Sequence, residues 1–384
     1  MTSLLVDNIG TLVTWDHETP VITEAALVVD PGGVAWSGPA SAAPAADERL
    51  DAHGGCVIPG FVDAHTHLVF AGDRAQEFEH RLTGESYTAG GIRSTVAATR
   101  AASTTELQSR ASMLVAEALR SGTTTVEVKS GYGLTIDDER RCLEIARTIT
   151  PHATFLGAHV VPQEWSADPD GYVGLVVGKM LDGVVDLASA IDVFCEAGAF
   201  DEDQSRAVLT AGKSRGLDLH VHANQLGPGP GAMLAADLGA ASADHCTHVT
   251  DAELGALRDA GVAVVLVPAA EFSTRSSYAP ARRMLDAGLT IALASDCNPG
   301  TSYTTSMPFV IALACREQGL TPMEALRAAT VGGASALRRD DIGHLRIGAG
   351  ADLVVLDAPS PVHLAYRPGV DLVRAVVRGG KVVR

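Results

Sequence analysis

Eight apolar, strand-like segments recur between residues 57 and 295, separated by stretches whose apolar residues fall three and four apart. The segments are Val57 to Leu68, Thr123 to Lys129, Ala153 to Val161, Ala190 to Glu196, Leu217 to His222, Ala241 to Cys246, Val262 to Val267 and Thr290 to Ser295. Helix-like spacing covers Glu106 to Arg120, Asp137 to Thr148, Glu202 to Arg215, Gly231 to Leu238 and Ala252 to Ala260. Eight such β/α units predict a TIM barrel. Trp165 to Tyr172 (WSADPDGY) reads as a loop. Ala71 to Gly91, rich in charge and glycine, reads as an insertion over the barrel mouth, where loops carry function.

The ends have a different texture. Residues 1–56 show short strands with turn signals around Gly32-Gly33 and an Ala/Pro-rich connection, ASAAPAAD; residues 344–384 mirror them with short strands around Gly379-Gly380. Neither end has enough strands for a stable sheet alone. The expectation is a small β-sandwich domain built from 1–56 plus 344–384, beside a barrel over 57–343.

Charge narrows the partners. With 46 acidic against 29 basic residues, a formal charge of -17 and no Lys/Arg cluster, nucleic acid and anionic membranes are disfavoured. No basic region precedes the apolar residues of the amino terminus, and no run approaches the ~18 apolar residues of a membrane span, so the reading is a cytoplasmic protein. Six scattered cysteines without a C-x-x-C pair suit buried thiols in a reducing compartment.

The chemistry sits at the strand ends. His65 and His67 are two positions apart, so on a strand both imidazoles leave the same face. The fifth segment ends in His220-Val-His222 and the eighth in Ser295-Asp296, and in this barrel such ends meet at one mouth. His65, His67 and His222 with Asp296 form a nitrogen and oxygen donor set that suits one Zn or Fe ion. His222 is preferred to His220 because it is nearer the loop. His159 and His245 end two more strands at the same level. A metal-assisted hydrolase follows, in which the ion lowers the pKa of water and Asp296 takes its proton.

The pattern PGFVDAHTHL, a His on the fifth and sixth strands, and SD on the eighth resembles the amidohydrolase superfamily. More narrowly, HTHLVFAGDRAQEFEHRL, VEVKSGYGL, LGAHVVP, SADHCTH and DCNPGTSYTTSMP resemble the imidazolonepropionase family of histidine degradation, over about residues 20–375. This resemblance implies hydrolytic ring opening of 4-imidazolone-5-propanoate to N-formimidoyl-L-glutamate by a cytoplasmic homodimer with one metal per chain. It implies His65, His67, His222 and Asp296 as ligands, and Arg74, Tyr132, His159, Asn298, Gly300 and Thr301 as substrate contacts. The Arg74 fork would take the propionate carboxylate bidentately. His245 would stabilise the oxyanion.

One position departs from the family. Many members carry Glu three residues after the fifth-strand histidine, where this chain has Gln225, which exchanges no proton at neutral pH. The reading is that Gln225 binds the substrate ring through its amide. Cytosine and guanine deaminases resemble this scaffold but need an ionisable group there. Two-metal cyclic amidases use a carbamylated Lys at the fourth strand end, and here that end reads Phe194-Cys195-Glu196. Lys129 ends the second strand, and pairing with a local acid or a backbone carbonyl is expected of it. A barrel that has lost catalysis is disfavoured because every ligand position is filled.

Overall fold

The computed structural model describes residues 2–83 and 91–384. Both chain ends meet in one eight-stranded sheet. Strands β1 (Leu4–Val13), β2 (Val21–Asp30), β3 (Gly33–Pro39), β4 (Glu48–Asp51) and β5 (Cys56–Pro59) come from the amino-terminal side. Running in from the other end, β15 (Leu353–Leu356), β16 (Val373–Arg378) and β17 (Lys381–Val382) extend the sheet, with β15 antiparallel to β5. Leu4, Val6, Ile9, Leu12, Leu27, Val29, Val57, Leu353, Val355 and Val377 form its buried apolar cluster.

Between the ends lie β6 (Phe61–Asp63), β7 (Thr123–Val126), β8 (Val128–Lys129), β9 (Ala153–Ala158), β10 (Ala190–Cys195), β11 (Asp218–Ala223), β12 (Ser242–His245), β13 (Ala263–Leu266) and β14 (Ile291–Leu293). The strands from β8 to β14 form one parallel seven-stranded sheet, and β6 pairs with β7 in parallel. The N–H of Lys129 donates to the Thr66 carbonyl, that of Asp296 to His65, and that of His67 to Cys297, at 2.9–3.0 Å. The chain that follows β6 is therefore bonded to both edges of the curled sheet, in the manner of a TIM-like barrel.

Three details differ from the sequence reading. The first predicted strand is two elements: Val57 to Pro59 belong to the end sheet and the barrel strand starts at Phe61. Gly60 separates them because a Cβ there would lie 2.2 Å from Thr124 Oγ1. The expected loop 165–172 instead begins a helix, Pro169–Leu175, with Asp168 as N-cap and Pro169 in its first turn. The insertion after the first strand also contains a helix, Ala75–Leu82, and its residues 84–90 lie outside the described residues.

The five expected helices form at Thr104–Arg120, Ile136–Ile149, Glu202–Lys213, Gly231–Leu238 and Asp251–Asp259. Ser103, Asp201 and Thr250 start three of them with capping boxes, which satisfy otherwise orphaned N–H groups. Among the described residues no helix is long and apolar enough to cross a membrane.

Candidate active site

The polar residues of the sixth strand, odd for a buried strand, are there because they face the barrel interior. Ser242 Oγ donates to Asp244 Oδ1 (2.5 Å) and contacts His220 Nδ1 (2.7 Å), while Asp244 Oδ2 accepts from His65 Nδ1 (2.6 Å). On β10, Asp192 Oδ2 lies 3.0 Å from His222 Nδ1. Nδ1 of each ring faces a carboxylate, which leaves Nε2 as the nitrogen through which His65 and His222 can serve a metal ion. His220 is spent one layer deeper, on Ser242.

The Nε2 atoms of His65 and His67 are 3.3 Å apart, and each is 3.6 Å from Asp296 Oδ1. A ring nitrogen from each of His65, His222 and His245 also falls within 4.8 Å of the others. Lone pairs converge here in a buried space with the donor set of a metal-binding site, so the residues fit a divalent cation. A third acidic and imidazole group, Asp192, His222 and Asp244, is filled by Lys129, whose Nζ is 2.9 Å from Asp192, 3.1 Å from Glu127 and 3.7 Å from Asp244.

Burial sets the protonation states. It pushes the Asp296 carboxyl up to about 7, opposed by His222 and by hydrogen bonds from Asn298 and Thr301. Burial also holds His245 well below the ordinary histidine range and lowers His159 to about 3, so both imidazoles are neutral at pH 7. Burial alone would lower Lys129, but Asp192, Glu127 and Asp244 outweigh it and hold the ammonium above the ordinary lysine value.

Around this floor a narrow pocket is lined by His67, Arg74, Tyr132, His159, His222, Gln225, His245, Asp296, Asn298 and Thr301. His159 Nδ1 is 3.0 Å from the Gly131 carbonyl, to which it donates, and its ring stacks on His67. Tyr132 is presented by a loop whose Gly131, Gly133 and Leu134 N–H groups all donate to the buried Glu139. Asn298 Oδ1 accepts from the N–H of Gly300 and Thr301, tying the loop after Asp296. Gly300 itself lies beyond Arg74, where a Cβ would come 2.1 Å from Nη1. Glu77 takes the Nε and Nη2 edge of Arg74 (2.8 and 2.6 Å), and Nη1 lies toward Gly300.

Asn224, His245 and Asp296 all have left-handed backbones, with φ of 51°, 70° and 50°. Such strain at non-glycine residues gathers where a site dictates side-chain direction. Sequence reasoning missed Asp192, Asp244, Glu127, Glu139 and Glu77. For the first two a signal existed: a carboxylate in the middle of an apolar strand must be paired, and each pairs with a histidine.

The model of the amidohydrolase family matches residues 56–383. An imidazolonepropionase of Mycolicibacterium smegmatis is 61% identical over 388 residues, covering 100% of this chain and 98% of its own length. The chain belongs to the amidohydrolase family, and within it to the imidazolonepropionases. Another family member, from Streptomyces griseus, is 58% identical with both chains fully covered. Among solved structures, a triazine hydrolase variant superposes with a TM-score of 0.79 at 20% identity, covering 100% of this chain and 95% of that one. A zinc-bound adenosine deaminase of Xanthomonas campestris gives 0.73 at 22% identity, covering 99% and 92%. These distant likenesses speak for the shared fold alone.

Proposed function

We propose that this chain hydrolyses the cyclic amide of 4-imidazolone-5-propanoate, giving N-formimidoyl-L-glutamate, with His65, His67, His222 and Asp296 holding one Zn or Fe ion. The observation that carries this reading is the convergence of His65 Nε2, His67 Nε2 and Asp296 Oδ1 within 3.6 Å, in a cavity that also holds Arg74 and Gln225. Such an ion, when bound, supplies Lewis acidity and lowers the pKa of water at the site.

The side chains do the rest. Asp296, poised near neutrality by burial, takes the proton of the attacking water and returns it to the ring nitrogen as the carbonyl carbon–nitrogen bond breaks. His245, neutral, donates a ring N–H to the oxygen that gains charge. Gln225 and His159 offer neutral donors and acceptors to the ring edges. The Arg74 guanidinium holds the propionate, with its Nε and Nη2 edge oriented by Glu77.

Deamination is disfavoured by the amide at Gln225. A two-metal mechanism is disfavoured by the ammonium of Lys129, which fills the space between Asp192 and Asp244. The test is incubation of metal-analysed protein with freshly generated imidazolonepropionate, following loss of its ultraviolet absorbance and the product mass. Metal-dependent formimidoylglutamate is expected. One bound metal per chain without turnover would overturn the substrate assignment.

A further inference from the structure

Lys129 is the most deeply buried cation described, with no solvent exposure. An ammonium at such a place is costly unless its partners repay the lost hydration. Besides Glu127 of its own segment, 3.1 Å from Nζ, it faces two acids on other strands, Asp192 and Asp244, and these are not arbitrary. Asp192 Oδ2, 2.9 Å from Nζ, is the same oxygen that faces His222 Nδ1; Asp244 Oδ2, 3.7 Å away, is the same oxygen that accepts from His65 Nδ1.

Without Lys129 those two carboxylates would be left within 4.8 Å of each other with no cation between them. Like charges at that separation in a dry interior repel strongly, and rotation of either carboxyl would carry its imidazole with it. We propose that Lys129 is a positioning residue that pins Asp192 and Asp244 together, and thereby turns Nε2 of His222 and His65 toward one metal ion.

One ammonium on β8 thus sets the direction of rings on β11 and in the segment after β6. Asp244 is further restrained by Ser242, whereas among the described residues no hydroxyl donates to Asp192, whose other oxygen accepts from the Val193 N–H at 2.7 Å. His222 therefore depends on Lys129 more than His65 does. The inference rests on the metal-site reading above.

Cobalt(II) titration of the metal-free protein tests it, read by affinity and by the visible d–d bands, which report ligand geometry without turnover. Lys129→Met should weaken cobalt binding about 10- to 100-fold, the usual cost of losing support behind a ligand, and should shift the bands. Lys129→Gln, polar and of similar length, serves if the Met variant fails to fold. A folded variant with unchanged affinity and bands overturns the role of Lys129, while failure of the wild-type protein to bind cobalt overturns the metal reading with it. A measurement that needs no variant is the ¹⁵N histidine spectrum of zinc-loaded wild-type protein. His65 and His222 should both carry the proton on Nδ1, and an Nε2–H form at either ring overturns the proposal.

Discussion

The end sheet and the barrel mouth are built from opposite materials. In the sheet, Val6, Leu12, Leu27, Val29, Val57 and Leu353 are buried together with almost no polar atom to satisfy. In the mouth, His65, Lys129, Asp192, His222, Asp244 and Asp296 are just as buried, and every one is titratable. Burial of the first set stabilises at about 25 cal/mol per Å² of apolar surface. Burial of the second gains little, because lost hydration offsets most of the pairing energy. The lesson is a division of labour: the sheet joins and stabilises the two ends of the chain, and the barrel can then hold a costly polar interior.

Exchange of a single atom in the mouth should break that division most sharply. Asp296→Asn keeps the size of the side chain and removes the proton acceptor, so kcat should fall on the order of 10³-fold. The metal-free variant should melt no lower than wild type, because Asp296 is held near pKa 7 by burial and its ionised form is a burden to the fold. Normal turnover would refute its role as the base.

The mirror experiment is in the sheet. Leu27→Ala deletes a fully buried side chain and should cost about 2–5 kcal/mol of stability, with kcat and KM unchanged wherever the protein remains folded. Chemical denaturation and steady-state kinetics on the same sample decide it. A changed kcat would mean that the sheet reaches the site and that the two regions are not separable.

The same contrast explains what the sequence made legible. Periodicity marks elements buried by apolar faces, so the barrel strands from the second onward and the five helices are legible close to their true limits. Strand-end placement then put His65, His67, His222 and Asp296 together. Tertiary pairing, which has no local period, was invisible: Val57 to Pro59 reads as the start of the barrel strand yet pairs with Leu353–Leu356, almost 300 positions away. Glu77, by contrast, is a local i,i+3 partner of Arg74, hidden because the segment after the first strand reads as a loop and not as the helix it forms. Lys129 was expected to pair with an acid, but nothing local could tell that three would converge on it.

A buried acid near the mouth, away from the ligands, sharpens the comparison through pH. Glu271 accepts from Thr247 Oγ1 and the Ala279 N–H, and burial pushes it up to about 7 from 4.5. Its folded-state pKa is raised, so the folded form binds the proton more tightly than the unfolded one. The contribution of this group to stability is therefore fully present below about pH 4.5 and is lost as pH rises through 7, by roughly 3 kcal/mol. Glu271→Gln keeps the acceptor oxygen and should remove that part of the slope. Urea unfolding at pH 5 and pH 8 would show it, and an unaltered slope in the variant would place the titration elsewhere.

The smallest expected effect concerns Gln225. The backbone N–H of Gln225 donates to Glu196, while its side chain lines the cavity with Asp296 and His245. If the amide only binds the ring, Gln225→Glu should leave kcat within about tenfold at pH 6, since a protonated carboxyl can still donate and accept. Above neutrality the new carboxylate would stand among Glus and Asps that already resist ionisation, each raising the other. The pH profile of kcat/KM should then gain a falling limb that wild type lacks. A rise in kcat across the whole range would mean instead that the mouth was short of a proton carrier, and that its chemistry, unlike the stability of the sheet, is improved by one more charge.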